Sequence, residues 1–174
     1  MEIKFRKVNE EDSVIMRNWI KTNEFVKKWY YIGKVPRLKT ILNKLKKRLN
    51  DKKFNMMIVV CDGKEIGYIQ SYPVDGNGAW TNKVKVYDNM VSIDYYIGNI
   101  NYIHKGIGSK MILAYIDKFL MSSSYDYALI TSDPENIASN KCALKCGFEY
   151  VKTVNVPYKN SKTIENIYIK KLQN

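Results

Sequence analysis

Between Ile93 and Lys110 the chain reads I-D-Y-Y-I-G-N-I-N-Y-I-H-K-G-I-G-S-K. One carboxylate, Asp94, sits late in an apolar run, and two glycines, Gly106 and Gly108, stand at the head of the next one. Glycines two apart let backbone N–H groups turn toward one point, and a helix N-terminus adds positive potential there. That arrangement suits a phosphate or pyrophosphate, with Lys105 and Lys110 adding charge at the rim. The loop is not a Walker loop, since no G-K-[ST] follows four intervening residues. Nor is it G-x-G-x-x-G, because Met111 holds the third glycine position.

Other reactive side chains are sparse. His104 is the single histidine, which excludes a histidine-based metal cluster. Cys142 and Cys146 are four apart, so they share a face of an expected helix, and with Cys61 they lack a fourth ligand. The expectation is three small packed thiols, no metal, and no cysteine nucleophile, because no partnered base accompanies Cys142.

The elements that must position these residues follow from periodicity. Glu2–Val8 alternates and reads as a strand; Asn9 or Asp12 can cap a helix with Val14, Ile15, Trp19 and Ile20 as apolar positions. Trp29–Gly33 reads as a loop with exposed aromatics. After Pro36 comes a helix with Leu38, Ile41, Leu42, Leu45 and Leu49 on one face, while Lys39, Lys44, Lys46, Lys47 and Arg48 fall largely on the other, solvated one. Phe54–Val60 and Glu65–Tyr72 are strands joined at Asp62-Gly63, a strong hairpin signal. Pro73–Gly78 reads as a loop, Asn89–Ile97 as a strand, and Gly106 to about Leu120 as an apolar helix. Tyr127–Thr131 is a short, nearly all-apolar strand of a sheet centre. Asp133-Pro134 opens a helix that Gly147 ends, and strands around Phe148–Val156 and Thr163–Lys170 close the chain. The order predicts an α/β fold, a mixed central sheet flanked by helices, in a single domain over residues 1–174.

Composition narrows the partner. The 174 residues carry a formal net charge of +12, yet its distribution is uneven. Residues 1–60 hold sixteen Lys plus Arg against six acids, residues 141–174 seven against two, and residues 61–140 six Lys against nine acids. The segment with the glycine loop is thus mildly acidic, which argues against a nucleic-acid partner. Met1–Val8 lacks the apolar core of a signal peptide, and no stretch approaches a membrane span of roughly 18 apolar residues. Three cysteines, an odd number, fit reduced thiols in a cytoplasm.

The glycine loop and its surroundings resemble the GNAT superfamily, whose signature [QR]-x-x-G-x-[GA] lies between a central strand and a helix. Here it reads Ile103-His104-Lys105-Gly106-Ile107-Gly108, with Ile103 where Gln or Arg is usual. Asn136–Phe148, N-I-A-S-N-K-C-A-L-K-C-G-F, resembles the family's later N-x-x-A-x-x-x-Y-x-x-x-G-F helix, with Ala143 at the tyrosine position. Within the superfamily the chain is most similar to the aminoglycoside 6′-N-acetyltransferases. The matches are I-G-Y-x-Q-S-Y at Ile66–Tyr72, Trp80 after a glycine-rich loop, I-D at Ile93-Asp94, K-G-I-G at Lys105–Gly108 and T-x-D-P at Thr131–Pro134. The resemblance implies acetyl-CoA as cosubstrate, held by Tyr95, Tyr96, Ile97, the loop from Lys105 through Ile107 and Ser109 to Lys110, and Asn136. It implies a cationic small-molecule amine as acceptor, with Asp94 beside it and Asp133 helping to hold a polycationic sugar.

Chemistry makes these positions coherent. An amine attacks a thioester as the neutral base, yet aliphatic ammonium groups are mostly protonated at pH 7. Asp94 can orient the ammonium and accept its proton. Backbone N–H groups of Tyr95–Ile97, if a bulge splays the strand, can polarise the thioester carbonyl. Asp75, Asp94, Asp133 and Glu165 can supply a negative pocket, Trp29, Tyr72 and Trp80 its walls, and Gln70 a hydrogen bond to a hydroxyl. With Ala143 in place of tyrosine, either a nearby Tyr protonates the thiolate or it leaves unaided. The alternatives are an acetyltransferase for another small amine, of the hydroxylysine or polyamine type, and a non-catalytic CoA- or nucleic-acid-binding protein.

Overall fold

Asp62 and Gly63 both take positive φ, 47° and 77°, the backbone of a two-residue hairpin whose twist matches its strands. They join β2 (Asn55–Cys61) to β3 (Lys64–Pro73) in antiparallel register, with Cys61 opposite Lys64. The computed structural model describes residues 1–158 and 161–172. Around this hairpin the chain runs β1 (Ile3–Lys7), α1 (Asp12–Thr22), α2 (Glu24–Tyr31), α3 (Leu38–Leu49), β2, β3, α4 (Ala79–Val84) and β4 (Met90–Ile97). It continues through α5 (Ile107–Tyr115), β5 (Tyr127–Ser132), α6 (Ile137–Lys145), β6 (Glu149–Tyr158) and β7 (Ser161–Lys171). Among the described residues the strands form one seven-stranded mixed sheet in the order β1-β2-β3-β4-β5-β7-β6. Its parallel step is β4–β5, where Met90, Val91 and Ser92 face Tyr127, Ala128 and Leu129. The expected α/β architecture is therefore observed.

Packing gathers into two compact units, Met1–Ser71 with Tyr95–Gly108 and Tyr72–Asp94 with Ser109–Asn174. In the first, Met16, Trp19 and Ile20 of α1, Val26 of α2, Ile41 and Leu45 of α3, and Ile58, Tyr68 and Tyr96 form the core. Arg6 joins three elements there, donating to both oxygens of the buried Asp12 (2.6 and 2.9 Å) and to Glu65. In the second unit Val74, Val84, Met90, Leu129, Val156, Ile167 and Ile169 pack together, with Trp80 against them. No helix among the described residues is long and apolar enough to cross a membrane.

Three expectations change, and a short helix joins the expected elements. Trp29, Tyr30 and Tyr31 lie in helix α2, not a loop, because the Asn23 side chain accepts from the N–H groups of Phe25 and Val26 and caps a new helix. Ala79–Val84 forms a short helix, its start secured by Thr81 Oγ1, which accepts from Gly78 N at 2.8 Å. Helix α6 starts at Ile137 under an Asn136 cap; Asp133 instead closes a turn, accepting from Glu135 N at 2.8 Å. Val14 is exposed, and Met16 takes the core position. Gly147 does end α6 as expected: its N–H meets Leu144 O, Phe148 N–H meets Ala143 O, and its φ is 78°. The apolar helix reaches Leu120, but its last stretch, Ile116–Leu120, is π-helical, with Met121 N–H bonded to Ile116 O.

Candidate active site

In the second unit, carboxylates gather at the C-terminal ends of the parallel pair β4 and β5. Ligands of open α/β sheets favour that edge. Asp94 lies two residues beyond Ser92, the last β4 residue in register with β5, and Asp133 follows Ser132, the last residue of β5. Glu165 comes from β7, one residue before Asn166, which pairs with Ser132. All three are half-buried. Tyr72 OH donates to Asp94 Oδ1 at 3.2 Å, and Trp80 Nε1 donates to Glu165 Oε2 at 3.2 Å. The Tyr72 and Trp80 rings lie 6.2 Å apart.

The Glu165 carboxyl is pushed above its ordinary value. Burial is the largest cause, repulsion from Asp94 and Asp133 adds to it, and hydrogen bonds from Thr131 and Trp80 pull the other way. Thr131 was not anticipated as a contributor, although it stands within the T-x-D-P match. Among the described residues no group of three or more His, Cys, Asp or Glu side chains is placed to hold a metal ion. Asp75 is exposed in the loop before α4, where its Oδ1 accepts from Asn77 N at 3.0 Å.

The remaining acceptor candidates, Trp29 and Gln70, belong to the first unit. Gln70 is wholly enclosed, and its Oε1 accepts from Tyr68 OH at 2.6 Å and Arg48 Nη1 at 2.8 Å. Arg48 thereby leaves the solvated face of α3 and covers the Phe54 ring at 4.9 Å. Trp29 is half-buried with the Lys28 ammonium 4.1 Å over its ring.

The end of β4 is held in the first unit by close backbone approach. A Cβ on Gly67 would lie 2.4 Å from Tyr96 O, and one on Gly98 would strike the Trp19 ring at 2.2 Å. Asn23, absent from the sequence-based candidates, donates to Ile97 O at 3.0 Å and Gly98 O at 3.2 Å. Its place between two amphipathic stretches was the available signal. Tyr95 is half-buried, and Tyr96 packs on Trp19, Tyr30 and Tyr68. The loop that follows turns through left-handed residues at His104 (φ 57°) and Gly106 (φ 69°) before α5 begins. His104 is exposed and meets Phe25 edge-on at 5.5 Å.

A family model described as an acetyltransferase (GNAT) domain matches residues 2–149. The chain belongs to the GNAT acetyltransferases. Aminoglycoside N(6′)-acetyltransferases type 1 of Klebsiella pneumoniae and of Serratia marcescens are each 26% identical over 158 residues, 89% of this chain and 78% of theirs. The solved aminoglycoside acetyltransferase AAC(6′)-Ib in complex with coenzyme A and kanamycin shares the fold, with a TM-score of 0.84 at 22% identity over 98% of this chain and 95% of that one. Its complex with paromomycin and acetyl-CoA gives 0.85 at 22% identity over 98% and 94%.

As a GNAT enzyme the protein uses acetyl-CoA, and the residues at the head of α5 fit that molecule. The first N–H groups of a helix have no intrahelical partner, and here Lys105, Gly106 and Lys110 around them are exposed. A Cβ at Gly106 would meet nothing within 4 Å, so the loop surface is open to an incoming phosphate. The side chains of Ile107 and Ser109 are buried, which leaves their backbone as the part that can face a ligand. Asn136 spends its amide oxygen on Ser139 N at 3.2 Å. Cys146 is buried, and a hydrogen bond with Cys142, then burial, hold its thiol well above the ordinary range.

Proposed function

We propose that this enzyme transfers acetyl from acetyl-CoA to a primary amine of a polycationic small molecule, the 6′-amine of an aminoglycoside, with Asp94 as base and ammonium anchor. The observation that carries this reading is the group of half-buried carboxylates, Asp94, Asp133 and Glu165, which accept from the Tyr72 hydroxyl, the Glu135 backbone N–H and the Trp80 indole respectively. The names of the 26% identical relatives support an aminoglycoside in particular.

Bound acetyl-CoA supplies the acetyl group as a thioester. Asp94 holds the acceptor ammonium, takes its first proton and passes it to solvent; the neutral amine nitrogen then bonds to the acetyl carbon as the C–S bond breaks, and the second proton shed by the new amide nitrogen leaves to solvent by the same carboxylate. Backbone N–H groups of Tyr95–Ile97 are the donors we assign to the carbonyl oxygen. Ala143 is buried and offers no proton; a thiol pKa of roughly 8.5 lets the thiolate depart and collect its proton from water. The test is thiol release from acetyl-CoA with kanamycin, ribostamycin, spermidine and lysine-type amines in parallel. Turnover of the aminoglycosides at low acceptor concentration is expected. Turnover of spermidine or lysine-type amines alone would move the acceptor to that class, and none with any amine would remove the reading.

A further inference from the structure

Tyr72 and Trp80 each spend their polar atom on a different carboxylate. The phenol of Tyr72 donates to Asp94 Oδ1 and the indole of Trp80 to Glu165 Oε2, both at 3.2 Å. An indole N–H can only donate, and a phenol beside a carboxylate acts as the donor. Such a bond favours the charged form and fixes which lone pairs remain for a ligand. The two rings meet at 6.2 Å and 49°, so each restricts the other. Tyr72 comes from β3, whose rest packs in a sheet, whereas Trp80 comes from the short helix α4 and rests on Val74, Val84 and their neighbours.

We propose that Tyr72 is the positioning residue of Asp94 and Trp80 that of Glu165, so that the two carboxylates take different ammonium groups of one acceptor. Asp94 takes the amine that reacts, and Glu165 takes a second amine that does not. The inference rests on the acetyl-transfer reading above. The groups facing this pair include Tyr72 from β3, Trp80 from α4, Thr131 from β5 and Asp133 from the turn after it. Burial and the neighbouring acids make Glu165 a reluctant anion, and an arriving ammonium relieves that reluctance. Asp94 directly precedes in sequence Tyr95–Ile97, whose backbone we assign to the thioester.

Tyr72→Phe removes the donor and keeps the ring. The Asp94 carboxyl, followed by carbon NMR in the ligand-free protein, is expected to titrate higher in the variant than in the wild type, as loss of a hydrogen bond to the charged form requires. The acid limb of kcat/KM moves up with it, kcat falls about 3–10-fold, and the acceptor KM changes less than about two-fold. Replacing Tyr72 by 3-fluorotyrosine keeps the hydroxyl, strengthens it as a donor, and moves the same limb the other way. Trp80→Phe is expected to raise KM about 5–10-fold for acceptors with several ammonium groups, and about two-fold or less for a simple primary amine. An Asp94 titration and acid limb unmoved by both changes at Tyr72 would overturn that assignment. Equal KM losses for both acceptor classes would overturn the one at Trp80. If no amine is acetylated, the acetyl-transfer reading fails by itself, and the ligand-free titration still decides the role of Tyr72.

Discussion

Strands β3 and β4 carry two polar clusters of opposite character. In the first unit Tyr68 and Gln70 of β3 and Tyr96 of β4 lie in a packed aromatic core. Gln70 receives Tyr68 and Arg48, and burial pushes the Tyr31 hydroxyl up to about 12 against the pull of Arg48. Two residues along each strand, in the second unit, Tyr72 and Asp94 belong to a half-buried group of acids. Neither Asp133 nor Glu165 forms an ion pair among the described residues. A closed network stabilises the fold it sits in, whereas partly desolvated like charges cost stability until a ligand of opposite charge arrives. The pairing of donors with acceptors thus separates a scaffold from a site more sharply than residue type does.

Asp94→Asn probes the difference hardest. It keeps shape and some hydrogen bonding but removes the proton acceptor, and kcat is expected to fall about 10²–10⁴-fold. Acetyl-CoA affinity by calorimetry stays near wild type, and the loss shrinks toward pH 9, where more amine arrives neutral. Wild-type activity across pH 6–9 would place Asp94 with the scaffold.

Glu165→Gln gives a smaller effect with opposite signs in function and stability. Its carboxyl is raised above the ordinary value of 4.5, mainly by burial. A carboxyl raised in the fold contributes stability while protonated, below that ordinary value, and loses it as pH rises through the raised one. The variant cannot ionise, so its melting midpoint should match wild type near pH 4 and exceed it near pH 8. The KM of a polycationic acceptor should rise meanwhile. A midpoint difference that does not change with pH would mean Glu165 is as comfortable ionised as the scaffold residues are.

Legibility in the sequence divided along the same line. The Asp62-Gly63 hairpin, the Gly147 helix end and the strand bearing Asp94 were readable because turn chemistry and alternation are local. Helix α2 was missed because consecutive aromatics at Trp29, Tyr30 and Tyr31 hide the 3.6-residue period, and its cap, Asn23, looks like any loop polar residue. Arg48 read as a solvated face residue because its partner, Gln70, is distant in sequence. The carboxylates Asp94, Asp133 and Glu165 carry no local signal of proximity, since β4, β5 and β7 become neighbours only through the sheet; the family resemblance pointed to Asp94 and Asp133, and the charge of the expected acceptor to Glu165.

The finest test lies inside the scaffold cluster, where two hydroxyls differ. Tyr68 OH donates to Gln70 Oε1 at 2.6 Å, so Tyr68→Phe removes a buried hydrogen bond and leaves an acceptor less satisfied. That change is expected to cost about 1 kcal/mol in urea unfolding. Tyr96 OH is buried and has no hydrogen-bond partner among the described residues, and burial with the nearby Tyr31 and Tyr68 raises its pKa well above the ordinary 10.0. Tyr96→Phe discards a polar atom that the fold has already desolvated, so the same deletion on the neighbouring ring should be neutral or stabilising by up to about 1 kcal/mol. The two variants remove one oxygen each from rings 5.5 Å apart, so packing changes are nearly equal and the sign of the difference isolates hydrogen bonding. Equal losses from both would show that the cluster is held by ring packing alone, and the contrast between a closed network and an open acidic site would then rest on the second unit only.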